Sequence, residues 1–457
     1  MNKLKYTIIY FSLIIVFTGC KDKTTLFSQL PVNYTHLNFN NTIIENESFN
    51  INQYLYAHNG AGVSVGDFNN DGLSDIFFTA NQLSNKLYIN QGDFKFKDVT
   101  EEAGVSGLVG SEYWTTGSTV VDINQDGWLD IYVNQVANLK NLKGRNQLFV
   151  NNGDGTFTDK AKTYGLALKT YAQQAVFFDF DLDGDLDMYQ LNHSVHELDV
   201  YGKSDKRLIR DSLAGDRLYR NDNFKFNDVS ENAGIYGSAM GYGLSVSVSD
   251  LDNNGYPDIY VSNDFHENDY VYYNNGNGTF KEAAEETMGH TSTFSMGSDA
   301  ADLNNDGLID IMTLDMKPED EVLRKSSAGA DTYEIYNYKR SFGYSYQYPR
   351  NMLQLIDSKT QFSEVGQLAG VDATDWSWSV LLADFDNDGL KDIYITNGIL
   401  RRPNDLDYIN FTYNTEVVNN KSTLELAYLM PDGKASNYAY KNLGQLAFKN
   451  VSQSWGL

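Results

Sequence analysis

The sequence predicts an all-β fold, a β-propeller of four-stranded blades, and three observations lead to this prediction. The acidic pattern Asp-x-(Asn/Asp)-x-(Asn/Asp)-Gly-x-x-Asp recurs six times along the 457 residues. Strand-like segments flank the copies, and a hairpin follows each copy. A self-similar unit at this spacing is typical of repeat architectures, and four strands per unit describe a propeller blade.

Each acidic loop has the composition of a calcium site. Alternate side chains point inward and the Gly permits a sharp turn, so hard oxygen ligands can surround Ca²⁺. The alternative is that Asn, Asp and Gly only form turns. We predict about six structural calcium sites. The candidate ligands are loop positions 1, 3, 5, 7 (mostly through its carbonyl) and 9: Asp67, Asn69, Asp71, Leu73, Asp75; Asp122, Asn124, Asp126, Trp128, Asp130; Asp179, Asp181, Asp183, Asp185, Asp187; Asp250, Asp252, Asn254, Tyr256, Asp258; Asp302, Asn304, Asp306, Leu308, Asp310; Asp384, Asp386, Asp388, Leu390, Asp392.

These loops differ from EF-hands, which place a Glu at loop position 12 between two helices. None of the six copies has Glu there; the first two have Phe78 and Val133. The residues after the loops are β-branched and aromatic, as in the run Ile131-Tyr132-Val133. Such runs favour strands, so each loop is predicted to join the first and second strands of a blade.

A hairpin supplies the third and fourth strands of each unit. Tips such as Asn152-Gly153 and Asn275-Gly276 are strong hairpin signals. Six units follow, near residues 59–100, 114–160, 171–230, 242–285, 294–365 and 376–451.

The N-terminus is typical of an exported lipoprotein. Lys3 and Lys5 precede a short apolar stretch that ends at Cys20, the only cysteine in the chain. We predict a lipoprotein signal peptide over residues 1–19, lipidation of Cys20, a tether over 20–33 and a propeller over 34–457. The expected location is the outer membrane of a Gram-negative bacterium, facing the outside, with membrane contact only through the lipid.

Several segments resemble a known family. The repeat unit resembles the FG-GAP/VCBS repeat, as in integrin alpha-subunit propellers. More narrowly, residues 59–63 (Asn-Gly-Ala-Gly-Val) leading into 66–72, together with 375–378 (Asp-Trp-Ser-Trp) and 397–405, are similar to secreted bacterial proteins of the cartilage acidic protein (ASPIC/UnbV-associated) type. The resemblance implies a propeller that usually has seven blades, whereas six units are present. Either the chain is a fragment of a larger ASPIC/UnbV-containing protein, or residues around Phe27 to Phe39 help to close the ring.

The insertions indicate where a ligand would bind. Extra residues fall between the second and third strands, at 193–215, 317–349 and 398–436, on the face opposite the calcium loops. Loops held by rigid sheets commonly carry recognition. The candidate ligand-binding residues on this face are aromatic residues near the entry to the first strand and Asn residues at the end of the second: Trp114, Tyr171, Tyr242, Phe294, Trp376, Trp378, Asn192, Asn263 and Asn397. The alternative role of the rings is blade-to-blade packing.

Composition and motifs argue against two classes of function. A net charge of −26 disfavours nucleic acid, which is bound through Lys and Arg. His193-x-x-His196-Glu197 does not match zinc-protease spacing and is interpreted as surface histidines.

We predict a non-enzymatic cell-surface module that binds an extracellular glycan or protein, in adhesion or nutrient capture. The alternative is the scaffold of a polysaccharide-degrading enzyme, for which Asp315 and Asp375 are the candidate carboxylates.

Overall fold

Six four-stranded antiparallel sheets make up the protein. A computed structural model describes residues 25–196, 202–357 and 360–457; Cys20 and the predicted signal peptide lie outside these ranges. In every sheet the strands follow one another in chain order, and the first strands of successive sheets contact each other. The predicted all-β propeller of four-stranded blades is therefore confirmed, with six blades.

The blade strands have the following bounds: blade 1, Val63–Gly66, Asp75–Phe78, Lys86–Asn90 and Phe96–Asp98; blade 2, Thr115–Val121, Asp130–Gln135, Gln147–Asn151 and Phe157–Asp159; blade 3, Ala172–Phe178, Asp187–Asn192, Arg217–Asn221 and Phe226–Asp228; blade 4, Gly243–Ser249, Asp258–Asn263, Tyr270–Asn274 and Phe280–Glu282; blade 5, Ser298–Ala301, Asp310–Thr313, Met352–Ile356 and Phe362–Glu364; blade 6, Ser377–Ala383, Asp392–Asn397, Tyr438–Asn442 and Phe448–Asn450.

A one-turn helix follows the fourth strand of every blade, a feature that the sequence analysis did not predict. In blade 1 the Asp98 carboxylate accepts the N–H of Thr100 (3.0 Å), and Gly104 ends the turn at a φ of 75°. Asp and Gly are common at such positions because Asp caps backbone N–H groups and Gly tolerates positive φ. The six helices are Thr100–Ala103, Ala161–Tyr164, Ser230–Ala233, Ala284–Thr287, Gly366–Ala369 and Ser452–Trp455.

The remaining elements lie in the insertions and near the N-terminus. Two small sheets pair Thr291–Ser292 with Gln347–Tyr348 and Ile399–Arg401 with Asp432–Gly433. The other helices are Val32–Thr35, Leu55–His58 (3₁₀), Ser204–Leu208 (3₁₀), Glu321–Ser326, Tyr333–Ser341, Leu406–Thr412, Thr415–Asn419 and Thr423–Tyr428. Within the part of the chain that the structure describes, no helix is both long and apolar enough to cross a membrane.

Apolar cores between blades use fixed positions of the repeat. The residues four and two places before the loop start face the preceding blade: Val380 and Leu382 of blade 6 share a cluster with Met312 of blade 5. The residue three places before the start faces the following blade, and Ser64 Oγ of blade 1 lies 2.7 Å from Ser118 Oγ of blade 2. Each first strand therefore presents one side to each neighbour, as alternation along a strand requires.

The seam between blades 6 and 1 departs from this pattern. Val63 and Val65, which should face a preceding blade, are 60% and 59% exposed, and Leu381, which should face a following blade, is 50% exposed. The N-terminal segment instead contacts both blades. Phe27 packs against Phe385 and Trp455 of blade 6. Phe39 stacks on Phe78 of blade 1, with ring centroids 4.6 Å apart.

These contacts support the interpretation that residues around Phe27 to Phe39 help to join the two ends of the ring. They also show that Phe27, which the sequence analysis placed in the tether, packs against blade 6.

Because the seam is exposed, the same Val→Ala substitution should affect stability differently at equivalent positions of blades 1 and 6. Val63 and Val380 both lie four residues before a loop, but Val380 is only 3% exposed. Val380→Ala should lower the free energy of unfolding by about 2 kcal/mol, through lost burial and a cavity. Val63→Ala should change it by less than about 0.5 kcal/mol. Urea unfolding measures both, and equal losses would show that the seam is packed like the other blade interfaces.

Candidate functional site

The first Asp of each acidic loop folds the loop around its own carboxylate. In loop 1, Asp67 Oδ1 accepts the N–H of Asp71 (3.0 Å) and Oδ2 accepts the N–H of Gly72 (2.8 Å). Gly72 has a φ of 86°, which Gly adopts without strain. The other five loops repeat both bonds. The loop thus holds its shape through its own acid side chain.

The last Asp of each loop is buried and attaches the loop to the third strand. In blade 2, Asp130 accepts the N–H of Ile123 (3.1 Å) with one oxygen and that of Asn151 (2.7 Å) with the other. All six blades show both bonds. Burial raises the pKa of Asp130 to about 6 and that of Asp187 to about 7. A charge held at such a depth needs these donors.

In three blades, an Asn at the end of the third strand donates to a carbonyl of the preceding blade, a role that was not predicted from the sequence. Asn151 of blade 2 donates to the Phe68 carbonyl in loop 1 (2.8 Å), and Asn442 of blade 6 donates to the Leu303 carbonyl in loop 5 (2.9 Å). The signal was present, because Asn recurs at this register in five of the six blades: Asn90, Asn151, Asn221, Asn274 and Asn442.

The fourth residue of some loops reaches the next loop. Asn70 donates to the Gly127 carbonyl (3.1 Å), and Gln125 donates to the Gly184 carbonyl (2.8 Å). These bonds connect loop 1 to loop 2 and loop 2 to loop 3.

The loops have oxygen donors that fit a hard divalent cation. Three loops bring carboxylates together so that one oxygen from each lies within 4.8 Å of the others: Asp179, Asp181 and Asp187; Asp250, Asp252 and Asp258; Asp384, Asp386 and Asp392. In loop 3, Oδ1 of Asp181 and Oδ1 of Asp185 are buried without a hydrogen-bond partner among the described residues. Unpaired buried carboxylate oxygens suit cation coordination. The carbonyl ligands at position 7 stay a prediction.

On the opposite face, most of the predicted ligand-binding rings are covered. Trp114, Tyr242 and Trp376 are buried, while Tyr171, Phe294 and Trp378 are partly buried. Trp114 packs against Phe49 of the N-terminal segment, with centroids 4.7 Å apart. These contacts correspond to the packing role that the sequence analysis gave as the alternative.

The three predicted Asn residues on this face hold the insertions in place. The side-chain amide of Asn192 donates to the Gly215 carbonyl (2.6 Å), that of Asn263 to the Asn268 carbonyl (2.9 Å) and that of Asn397 to the Ser436 carbonyl (2.7 Å). Each bond joins the last residue of the second strand to the residue two places before the start of the third strand. The same amides would have to be shared with a ligand that bound here.

The interpretation of His193 and His196 as surface histidines is wrong. His193 is buried with its ring 3.8 Å from that of Tyr56. The Tyr56 hydroxyl lies 2.7 Å from His196 Nε2 and donates to Asp264 Oδ2 at 3.0 Å. Burial lowers the pKa of His193 to about 3 and that of His196 to about 4, and raises that of Asp264 to about 7. The N-terminal segment, which the sequence analysis left without a role here, covers these side chains.

A cavity of about 510 Å³ opens beside this cluster. Its lining combines rings with polar groups from five parts of the chain, including Tyr54, Tyr56, Lys140, His196, Phe265 and Pro403. Phe265 has a φ of 73°. A bulky residue in this backbone region is a strained feature of the kind that concentrates at functional sites.

The basic residues of the insertions contact the protein's own groups. Arg402 binds both Asp375 oxygens at 2.7 and 2.8 Å. Arg401 pairs with Glu45 (2.6 Å) and Arg350 with Glu364 (2.9 Å). Asp315 is buried and accepts hydrogen bonds from the Ser292 hydroxyl and the Phe294 N–H. Asp315 and Asp375 are thus both engaged in contacts within the protein.

Three segments of the chain, residues 67–133, 136–189 and 250–313, match the FG-GAP-like repeat family. The chain is also 28% identical over 206 residues to cartilage acidic protein 1 of Xenopus tropicalis, a match that covers 44% of this chain and 28% of that protein. The matched part is thus little more than a quarter of that relative's length. The predicted resemblance to FG-GAP repeats and to proteins of the cartilage acidic protein type is confirmed.

Solved propeller structures show weaker similarity. A lectin of Agrocybe aegerita that recognises non-reducing terminal N-acetylglucosamine aligns with a TM-score of 0.45 and 14% identity, over 86% of this chain and 82% of the lectin. A rhamnogalacturonan lyase aligns with a TM-score of 0.35 and 11% identity, over 74% of this chain and 55% of the lyase. These values are too low for a functional comparison.

Buried and exposed Asp residues of the same loop should contribute differently to stability. Asp130→Asn should destabilise the protein by about 2 kcal/mol or more even in EDTA, because one buried N–H loses its acceptor. Asp126→Asn, at an exposed position of the same loop, should change stability in EDTA by less than about 0.5 kcal/mol. Urea unfolding in EDTA measures both. A tolerated Asp130→Asn would show that these hydrogen bonds contribute little to stability.

Proposed function

We propose that this chain is a calcium-stabilised propeller that binds a ligand on the face of the insertions. The cavity beside Tyr56 carries this proposal, because it is the place on that face where rings and polar groups from several blades converge. Its size falls in the usual range for ligand sites, about 300–1,000 Å³. The N-terminal segment, the insertions and the strand ends all contribute, so the site exists only when the ring is assembled.

The residues that line the cavity favour an extracellular glycan as the ligand. A segment of an extracellular protein is the other candidate ligand. Phe265 and Tyr54 offer ring surface for the apolar face of a sugar, and Lys140 and His196 offer polar groups at the edge. Lys140 Nζ donates to the Gln53 carbonyl (2.5 Å), so its ammonium is already held at the rim of the cavity.

A second candidate function is polysaccharide cleavage, and the Tyr56 hydroxyl favours it. This hydroxyl lies between His196 and Asp264, an arrangement able to transfer a proton at the edge of the cavity. Against it, burial and then the contact with Asp264 raise the pKa of Tyr56 far above its usual value, which opposes its acting as a base. We therefore favour binding without turnover.

The proposed location is outside the cell, with the chain anchored through a lipid on Cys20. An exported protein meets calcium at concentrations that suit sites of the weak extracellular type, with dissociation constants of about 10⁻⁴–10⁻³ M. The chain's acidic excess also suits this setting, because bound cations would offset part of the −26 charge.

Calcium removal should destabilise the fold. At about one hundred times its dissociation constant, each bound ion adds roughly 2.7 kcal/mol to the free energy of unfolding. Differential scanning calorimetry in millimolar Ca²⁺ and then in excess EDTA should show a large fall in melting temperature. Mg²⁺ is the matched control, because its octahedral preference suits these loops poorly. An unchanged melting temperature in EDTA would refute the calcium assignment.

Glycan binding is tested on an array, followed by calorimetry with any glycan that binds. Phe265→Ala should weaken binding at least about tenfold, or 1.4 kcal/mol, through loss of the ring. Phe224→Ala is the matched control, because Phe224 also has a positive φ (63°) but lies on a hairpin tip outside the cavity. Equal effects of the two substitutions would exclude the cavity as the site. Cleavage of the bound glycan, lost in Tyr56→Phe while binding persists, would favour the enzyme.

A further inference from the structure

The acidic loop of blade 6 differs from the other loops in having a lysine ammonium among its carboxylates. Lys441 Nζ lies 2.8 Å from Asp388 Oδ2 and also contacts Asp386. These two Asp residues occupy positions 5 and 3 of the loop, which are predicted calcium ligands. Lys441 lies in the third strand, directly before Asn442, whose N–H the last Asp of the loop accepts. The strand therefore aims the lysine at the centre of the loop.

The same register in the other blades makes this arrangement distinctive. The equivalent residues are Ile89, Val150, Arg220, Tyr273 and Leu355. Arg220 also carries a positive charge, but its guanidinium pairs with Asp222 on the adjacent hairpin, at 3.1 and 3.3 Å. Lys441 instead pairs with the loop itself. Loop 6 also has four Asp residues in the pattern, whereas loops 1, 2, 4 and 5 have three.

We propose that Lys441 is the resident cation of loop 6, so that this blade keeps its loop closed without calcium and binds Ca²⁺ less tightly than the other loops. This inference rests on the proposed calcium function of the repeat. An incoming Ca²⁺ would have to displace the ammonium from two carboxylates, or remain beside a like charge within a few ångströms. A tethered cation needs no external ion, and its side chain is held by the same strand that anchors the loop.

The position of blade 6 in the ring explains why a lysine in its loop would matter for stability. Blade 6 borders the seam, where Leu381 is exposed and, within the described residues, the seam side of the first strand lacks an apolar core like the one that Val380 and Leu382 form on its other side. It therefore has less packing to hold its first two strands together than the inner blades have. A built-in cation keeps the joint between these strands closed when calcium is scarce.

The test compares Lys441→Met with the unchanged protein. Equilibrium dialysis with ⁴⁵Ca²⁺ should show one more bound ion in Lys441→Met, or one site at least tenfold tighter. Lys441→Arg, which keeps the charge, should bind calcium as the unchanged protein does. Arg220→Met is the matched control and should leave the number of ions unchanged. Identical binding by Lys441→Met and the unchanged protein would overturn the inference.

Hydrogen exchange in EDTA separates failure of this inference from failure of the proposed function. Without calcium, Lys441→Met should expose the amides of Asp392–Asn397 at least tenfold faster than the unchanged protein, while blade 3 amides stay unchanged in Arg220→Met. If none of the proteins binds calcium, the proposed function fails and this exchange still decides the role of Lys441. Unchanged exchange in Lys441→Met would then show that the lysine does not hold the loop.

Discussion

The buried Asp at the end of each acidic loop is the constraint on which the rest of the structure depends. Its two oxygens accept one N–H from the loop and one from the third strand, so a single side chain fixes three segments of the blade. Because the side chain is inside the blade, any displacement of the loop would leave a charge or a donor unpaired at high cost. The loop and the sheet of each blade are therefore coupled.

The sequence predicted the parts of the fold that repeat. Six copies of one pattern identify the loops, and strand-like residues around them identify the blades. The last Asp of each loop was predicted as a calcium ligand, and the structure adds that its oxygens already accept backbone N–H groups. Spacing alone cannot reveal this, because ligand and hydrogen-bond acceptor require the same side chain at the same position.

The parts of the fold that do not repeat could not be predicted from the sequence pattern. His193 and His196 follow a strand and precede an insertion, which is a typical surface context, yet residues 51–58 cover them. That packing joins segments more than a hundred residues apart, as in the 2.7 Å contact between Tyr56 and His196. Nothing in the local sequence of either segment encodes its partner. The cavity lies at this junction, so it could not be predicted from the repeat.

The two faces of the propeller therefore obey different physical rules. On the loop face, each carboxylate has a role set by its position in the repeat, and one lysine is enough to change the cation that a loop would hold. On the insertion face, unique segments meet, and the Asn residues that end the second strands hold them in register with the sheets. Stability can thus be carried by the repeated face, while the insertion face is free to vary. A substitution in a loop should act through the fold, whereas one in the cavity should act on the proposed recognition of a ligand.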